Sequence, residues 1–212
     1  MLGSTAILAS IQEGKIVIDP FDDKQLGPNS YDLRLGEWYV RQIKTVSNAL
    51  TTMLPDFFPE EDQKKISQLL AFNGGIELDD PIDGKRIWES PVRSASGTIW
   101  LRPGELILGH TMERVGCYVD IAGEMSSRSS MMRHGISVCI DAGLGDVGFD
   151  SKWTMEISNH TNSLIGLRVG MRIAQMKFHR IEGPGKDYAS KGGTYGQGDW
   201  DPNDMIPRSS LM

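Results

Sequence analysis

Cysteine is scarce: Cys117 and Cys139 are the only two in 212 residues, which excludes a disulfide framework. Long apolar runs are missing as well. None approaches the ~20 residues of a membrane-spanning helix. The first residues lack a basic segment followed by an apolar core, so no signal peptide is expected. Positive charge is in deficit, with 22 Lys and Arg against 28 Asp and Glu and a net charge of -6. A broad basic groove for nucleic acid is therefore not expected. A local arginine pocket for a compact anion survives that argument, because net charge says little about one cleft. The expectation from these absences is a reduced, cytoplasmic protein with no nucleic-acid or membrane partner. The 39% hydrophobic and 24% charged content is ordinary for a globular chain long enough to bury one real core.

The chain opens with "STAILASIQEGKIVIDPF", a short helix and then a strand. Ser4 or Thr5 is placed to cap the helix and Gly14 to end it. The strand "KIVI" stops at Asp19-Pro20. In "GPNSYDLRLGEWYVR" a turn at Pro28-Asn29 precedes alternating Tyr31, Leu33 and Leu35, the mark of a half-buried strand. Residues 47–75 differ: "PEEDQKKISQLLAFNG" puts Ile66, Leu69 and Leu70 on one helical face, with acids at its start and Gly74 after its end. From residue 98 the pattern is all β. Two strands in "TIWLRPGELILGHTMERV" break at Pro103-Gly104. The segments "CYVDIAGEM", "GISVCIDAG", "KWTMEISNH" and "LIGLRVGMRIAQMKFHRI" follow at a spacing that suggests a sandwich or barrel. This gives one β domain over 1–182 with a helical insertion at about 47–75. Residues 183–212, rich in Gly, Lys, Tyr, Asp and Pro, read as a mobile arm outside the core.

The stretch "EMSSRSSMMRHG", Glu124 to Gly135, holds four serines and two arginines. Hydroxyls and turn N–H groups hold phosphate oxygens, and Arg128 and Arg133 supply forked donors. Ser130 to His134 fits one helical turn beginning at that anion. The same text also reads as a solvated polar loop. Asp141, Asp146 and Asp150 fall in a Gly-rich stretch, but EF-hand calcium spacing is absent. Glu156 sits inside the strand "WTMEIS". Trp153, Met155 and Ile157 share one face, and Thr154, Glu156 and Ser158 the other. Either that second face meets water or Glu156 is a carboxylate set in a pocket. Zinc deaminases carry H-x-E and a later P-C-x-x-C. Neither occurs here, and the four histidines show no ligand spacing.

Six segments, taken together, resemble one family. "GPNSYDLRLG", "LRPGELILG", "GEMSSRSSMMRHGI", "DAGLGDVGF", "TMEISN" and "LRVGMRIAQM" are similar, in order and spacing, to the dCTP deaminase and dUTPase family of trimeric proteins. The resemblance implies a mainly β, distorted β-barrel or jelly-roll-like dUTPase-type fold with a few short helices. It implies a deoxynucleoside triphosphate as substrate, a homotrimer with shared sites, and Mg²⁺ carried in by the triphosphate, with no zinc. Glu156 stands where the deaminase branch has its catalytic glutamate and the dUTPase branch an apolar residue. Ala142, before the turn glycine, also matches the deaminase branch. The implied activity is hydrolytic deamination of dCTP to dUTP and ammonia. The alternatives are a dUTPase-like pyrophosphohydrolase without deamination, activity on a different base, or a nucleotide-binding regulator with a weakened site.

By the same resemblance Arg128, Ser129 and Ser130 form the phosphate cradle, and Arg133 reaches into the catalytic pocket. Asp146 bonds the deoxyribose 3′-hydroxyl and Phe149 packs near the sugar. Glu156 shuttles protons, while Ser129 and backbone groups near Ala142 hold the water. Gly143-Leu144 is closer to the members that go on to dUMP and pyrophosphate than to those that stop at dUTP. The family closes a C-terminal arm over the triphosphate. Here Tyr188, Lys191, Tyr195 and Gln197 are the residues offered for that role, with Thr194 in the place of the usual lysine. The chain departs elsewhere too. Asp141 replaces a threonine beside the base, where it is either a turn residue, an acceptor for the amine of cytosine, or an acceptor for guanine N1–H and N2–H₂. Gly145 replaces a β-branched residue. Asp150-Ser151 replaces a small or basic residue and a glycine.

Overall fold

A computed structural model describes residues 1–42, 88–183, 187, 188, 190, 193, 195 and 199–208. The helix expected near 59–72 lies outside the described residues, as do Lys191, Thr194 and Gln197. The chain divides into two compact units, Met1–Arg41 with Ser90–Ile206, and Gln42–Glu89 with Pro207–Met212. Every helix and strand named below belongs to the first.

Helix α1 (Ser4–Gln12) begins at Gly3, not at a hydroxyl cap. The N–H of Ser4 instead donates to the carbonyl of Pro28 at 2.8 Å, so a loop carbonyl does the work expected of a side chain. The strands are β1 (Ile16–Asp19), β2 (Tyr31–Arg41), β3 (Val92–Arg93), β4 (Thr98–Leu101) and β5 (Leu106–Cys117). After β6 (Ile121–Ser127) come the single-turn helix α2 (Ser129–Arg133), β7 (Ile136–Val138) and β8 (Leu144–Gly145). The last three strands are β9 (Asp150–Asn159), β10 (Ile165–Arg168) and β11 (Arg172–Arg180). The turn at Pro103-Gly104 separates β4 from β5 as expected.

Nine strands form one antiparallel sheet in the order β7-β9-β5-β2-β11-β6-β8, with β1 beside β5 and β3 beside β2. The sheet curls into a half-barrel, and β4 and β10 form a separate ribbon. Alternation decides what lies inside. Tyr31, Leu33 and Leu35 of β2 are fully buried, as are Met155 and Ile157 of β9. They meet Ile107, Ile173 and Phe178 in the core. Burial of each such side chain contributes about 1.5–3 kcal/mol.

Two of the buried polar groups bear on the fold's stability. Glu113 is 0% exposed and accepts from the Arg34 N–H at 2.9 Å, Arg34 Nε at 2.6 Å and Gln25 Nε2 at 3.0 Å. His110, also buried, faces the carbonyl of Thr111 through Nδ1 at 2.8 Å and accepts from the Trp38 N–H through Nε2 at 3.2 Å. Those partners match the neutral ring, and burial pushes its pKa down to about 4. Gly36 makes room for it: a Cβ there would lie 2.0 Å from the imidazole.

One part of the tail, Trp200 to Ile206, is docked where a free arm was expected. Asp201 and Asp204 form a reciprocal cap on a 3-10 turn, Pro202–Met205. Met205 and Ile206 are buried, and the Trp200 ring lies 4.3 Å from His110. Composition pointed to a solvated segment, but three apolar side chains within seven residues are enough to dock it.

Candidate active site

Strand β9 carries Glu156 with its backbone held on both sides. Leu108 of β5 pairs with it across one edge, and the Cys139 N–H donates to its carbonyl at 2.9 Å from the other. Trp153, Met155 and Ile157 face the core as the alternation requires, which turns Glu156 to the other face. That face is not open water. Glu156 is half-buried, and its Oε2 is buried without a hydrogen-bond partner. Burial, and then repulsion from Asp141, raise its pKa above the ordinary carboxylate value. A carboxylate raised in this way takes up a proton more readily than a solvated one, as a proton shuttle requires.

The segment Cys139 to Gly143 bridges two strands. Cys139 takes the left-handed conformation, φ 61°, which breaks β7 beside Glu156. At the far end the Met125 N–H donates to the carbonyl of Gly143 at 2.7 Å. A Cβ on Gly143 would lie 2.2 Å from the Met125 carbonyl, so only glycine allows this approach. Asp141 and Ala142 stand exposed between the two anchors.

The serine-arginine stretch spans the end of β6 and α2. The Ser127 hydroxyl donates to the carbonyl of Val138 and accepts from its N–H, fastening β6 to β7. Arg128 precedes the helix. Its Nε pairs with Asp32 at 3.1 Å, while Arg172 pairs with the other Asp32 oxygen at 3.2 Å. One carboxylate therefore holds two guanidinium groups. Ser129, Ser130 and Arg133 are exposed, and their side chains make no hydrogen bond among the described residues. None is bonded to Glu156 within the one chain.

A third cluster forms beyond β8. The Phe149 N–H closes a turn on the carbonyl of Asp146 at 3.1 Å. The Phe149 ring meets Trp153 and Tyr188 edge-on at 5.2 and 5.4 Å. The Tyr188 N–H donates to Val147, and the Tyr188 hydroxyl accepts from the Tyr195 N–H at 3.0 Å. Asp146, Phe149, Tyr188 and Tyr195 are thus one neighbourhood.

Two departures from the family pattern have local causes. The Trp153 ring fills the place of a side chain at Gly145, where a Cβ would lie 2.0 Å from it. Gly145→Val is therefore expected to destabilise the fold by about 1–3 kcal/mol through overpacking. Much of that loss should disappear in a Trp153→Leu background, which thermal melts of the single and double variants would read. Asp150 is buried and held by Arg114 Nε and NH2, each at 2.6 Å, and by the Tyr118 hydroxyl. Its carboxylate is committed to that pair and is not an open cation ligand.

Sequence reasoning gave Asp32 and Arg172 no role. The signal was present in "YDLRLG", where Asp32 falls on the polar side of an otherwise buried strand. Its two partners come from residues about 100 and 140 positions away, which no local pattern reveals. Among the described residues, no three His, Cys, Asp or Glu side chains gather to hold a metal ion.

A family model described as dCTP deaminase-like matches residues 1–181. A dUMP-forming dCTP deaminase of Dictyoglomus thermophilum is 33% identical over 197 residues, covering 92% of this chain and 88% of that protein. A dCTP deaminase of Haloarcula marismortui is 30% identical over 205 residues, covering 95% and 92%. Among solved structures, the 2′-deoxycytidine 5′-triphosphate deaminase from Agrobacterium tumefaciens superposes with a TM-score of 0.55 at 22% identity. That match covers 85% of this chain but 48% of the other, and the likeness is one of fold. With the family model spanning the sheet and the site residues from Arg128 to Glu156, the chain belongs to the dCTP deaminase-like family.

Proposed function

We propose that the protein converts dCTP and water to dUTP and ammonia. The observation that carries this reading is Glu156, a half-buried carboxylate with a buried, unpartnered oxygen, on a strand fixed along both edges. Water attacks C4 of cytosine while Glu156 takes its proton. That proton goes to N3, and the proton of the new C4 hydroxyl then passes through Glu156 to the leaving nitrogen as C4=O4 forms and the C4–N bond breaks. The carboxylate ends ionised, ready for a second water. Ser129 and backbone groups near Ala142 are assigned to the water, and Arg133 to the field of the pocket. Arg128, with Ser129 and Ser130, receives the phosphates. Asp146 takes the 3′-hydroxyl, and Phe149 lies near the sugar. Tyr188, Lys191, Tyr195 and Gln197 are assigned to closing the C-terminal arm.

The unbonded side chains of Ser129, Ser130 and Arg133 support a site completed by another copy of the chain, hence a homotrimer with shared sites. Mg²⁺ would screen the triphosphate charge. The described residues offer it no ready carboxylate cluster, so its ligands are assigned to phosphate oxygens and water. A cytoplasmic nucleotide-metabolising enzyme is the setting this chemistry fits.

Incubation with Mg²⁺ and each of dCTP, dUTP, dGTP and dATP, with products identified by mass, tests the proposal. Ammonia with dUTP or dUMP from dCTP is the expected result. Pyrophosphate without ammonia would instead support a dUTPase-like hydrolase. The Asp32 assignment has its own test. Asp32→Asn weakens the hold on Arg128 and Arg172, and loss of one charge-assisted pair predicts a KM for dCTP raised by about tenfold or more. The kcat value should fall much less, because phosphate contacts hold ground state and transition state alike.

A further inference from the structure

Asp141 lies on the Cys139–Gly143 bridge, which is fastened to the strand of Glu156 at one end and to β6 at the other. Its place beside Glu156 is therefore set by backbone hydrogen bonds and by a glycine that no side chain can replace. Neither Asp141 nor Glu156 has an ion-pair partner among the described residues. Two carboxylates left without a cation form an acceptor-rich patch. The group that satisfies it is a ligand edge made of adjacent N–H donors.

Resting on the reading that Glu156 acts on the base, we propose that Asp141 is a specificity-determining residue that admits bases with an amino group at the reacting carbon and rejects those with a carbonyl there. The chemistry is direct. Cytosine presents its exocyclic N–H₂ to the patch, and a second donor once N3 is protonated. Uracil and thymine present O4, an acceptor, which sets a lone pair against a carboxylate, an arrangement with no hydrogen bond to gain. A site that hydrogen-bonds one edge rejects its mismatched analogue far more strongly than an apolar site does. Guanine offers a comparable donor pair, so the filter separates amino bases from carbonyl bases and leaves ring size to other walls.

The filter also bears on product. Deamination replaces the donor amine with O4 in place, so dUTP becomes the mismatched ligand in the site that made it. The proposal therefore has dUTP leave intact, ahead of any cleavage to dUMP. Repulsion between the two carboxylates, which helps to raise Glu156, is consistent with their closeness.

The test compares wild type with Asp141→Asn and Asp141→Thr. Affinity is measured by calorimetry for the α,β-imido analogue of dUTP and for deoxyribose triphosphate lacking a base. Both variants should bind the uracil analogue about tenfold tighter or more than wild type, with base-free triphosphate unchanged. The kcat/KM for dCTP should fall in both variants, and dUTP should accumulate with the wild type. Equal affinity for the uracil analogue in all three proteins would overturn the assignment. So would parallel shifts for the base-free triphosphate, which would make Asp141 merely structural. Ammonia release by wild type is scored separately. If it is absent while the uracil analogue still tightens in the variants, the filter stands and the deaminase reading falls.

Discussion

Glu156→Gln should cut ammonia release from dCTP by about 10²–10⁴-fold, the usual worth of a positioned general acid–base group. Triphosphate binding should change little, because Arg128, Ser129 and Ser130 lie on a different element. The amide is nearly isosteric, so the sheet around it has no reason to move. Stability should change with pH in a defined sense. Burial and Asp141 raise Glu156 in the folded protein above its unfolded value. Its contribution is then most favourable below the unfolded pKa, where both states hold the proton. It is lost as pH rises through the folded pKa, because the unfolded chain ionises more easily. Glu156→Gln should therefore raise the melting temperature at neutral and alkaline pH and leave it unchanged well below the carboxylate range. A variant that is less stable at every pH would mean that Glu156 is a structural group. The same raised pKa places the acid limb of the activity profile above that of an ordinary glutamate, and Asp141→Asn should move it back down.

The second large effect is on folding. Glu113→Ala should destabilise the protein by about 3–5 kcal/mol, the cost of breaking a buried ion pair from one side. At 0% exposure no water can replace the carboxylate. The Arg34 N–H and Arg34 Nε would lose this acceptor, and Gln25 Nε2 would keep only the Asp32 carbonyl. For a chain of this size that corresponds to a melting temperature lower by roughly 6–20 °C. Glu113→Gln keeps the shape and one acceptor oxygen, and it should lose less. The carboxylate joins β5 to β2 next to Asp32, so the loss should also weaken the base of the Arg128 pair. A Glu113→Ala protein that melts like wild type would show that the cluster is solvated or replaceable.

Much of this architecture was legible in alternation alone. Tyr31, Leu33 and Leu35, and Trp153, Met155 and Ile157, read as strand faces and are buried as such. The break at Pro103-Gly104 read correctly because those two residues act locally. What failed was whatever depends on distant partners. The cap of α1 comes from the Pro28 carbonyl, and no hydroxyl is used. The tail docks through Trp200, Met205 and Ile206, which composition had outweighed with glycine and charge. Glu113 lay unremarked in "HTMERV", since nothing nearby shows that a glutamate there is sealed off. In the candidate site, periodicity identified the face of Glu156 but left open whether that face met water. The structure shows one Glu156 oxygen buried beside the Cys139–Gly143 bridge, so that face is not freely solvated there. Asp32 and Arg172 went unassigned because their pairing crosses β2, β6 and β11.

The most direct test of the deaminase reading is the fate of water oxygen. Wild-type protein is supplied with dCTP and Mg²⁺ in water enriched in ¹⁸O, and the products are resolved by mass. The account predicts one heavy oxygen in the base of the uridine nucleotide, with ammonia released in equal amount. Heavy oxygen found only in a phosphate group, with the cytosine amine retained, would contradict it and make the protein a triphosphate hydrolase.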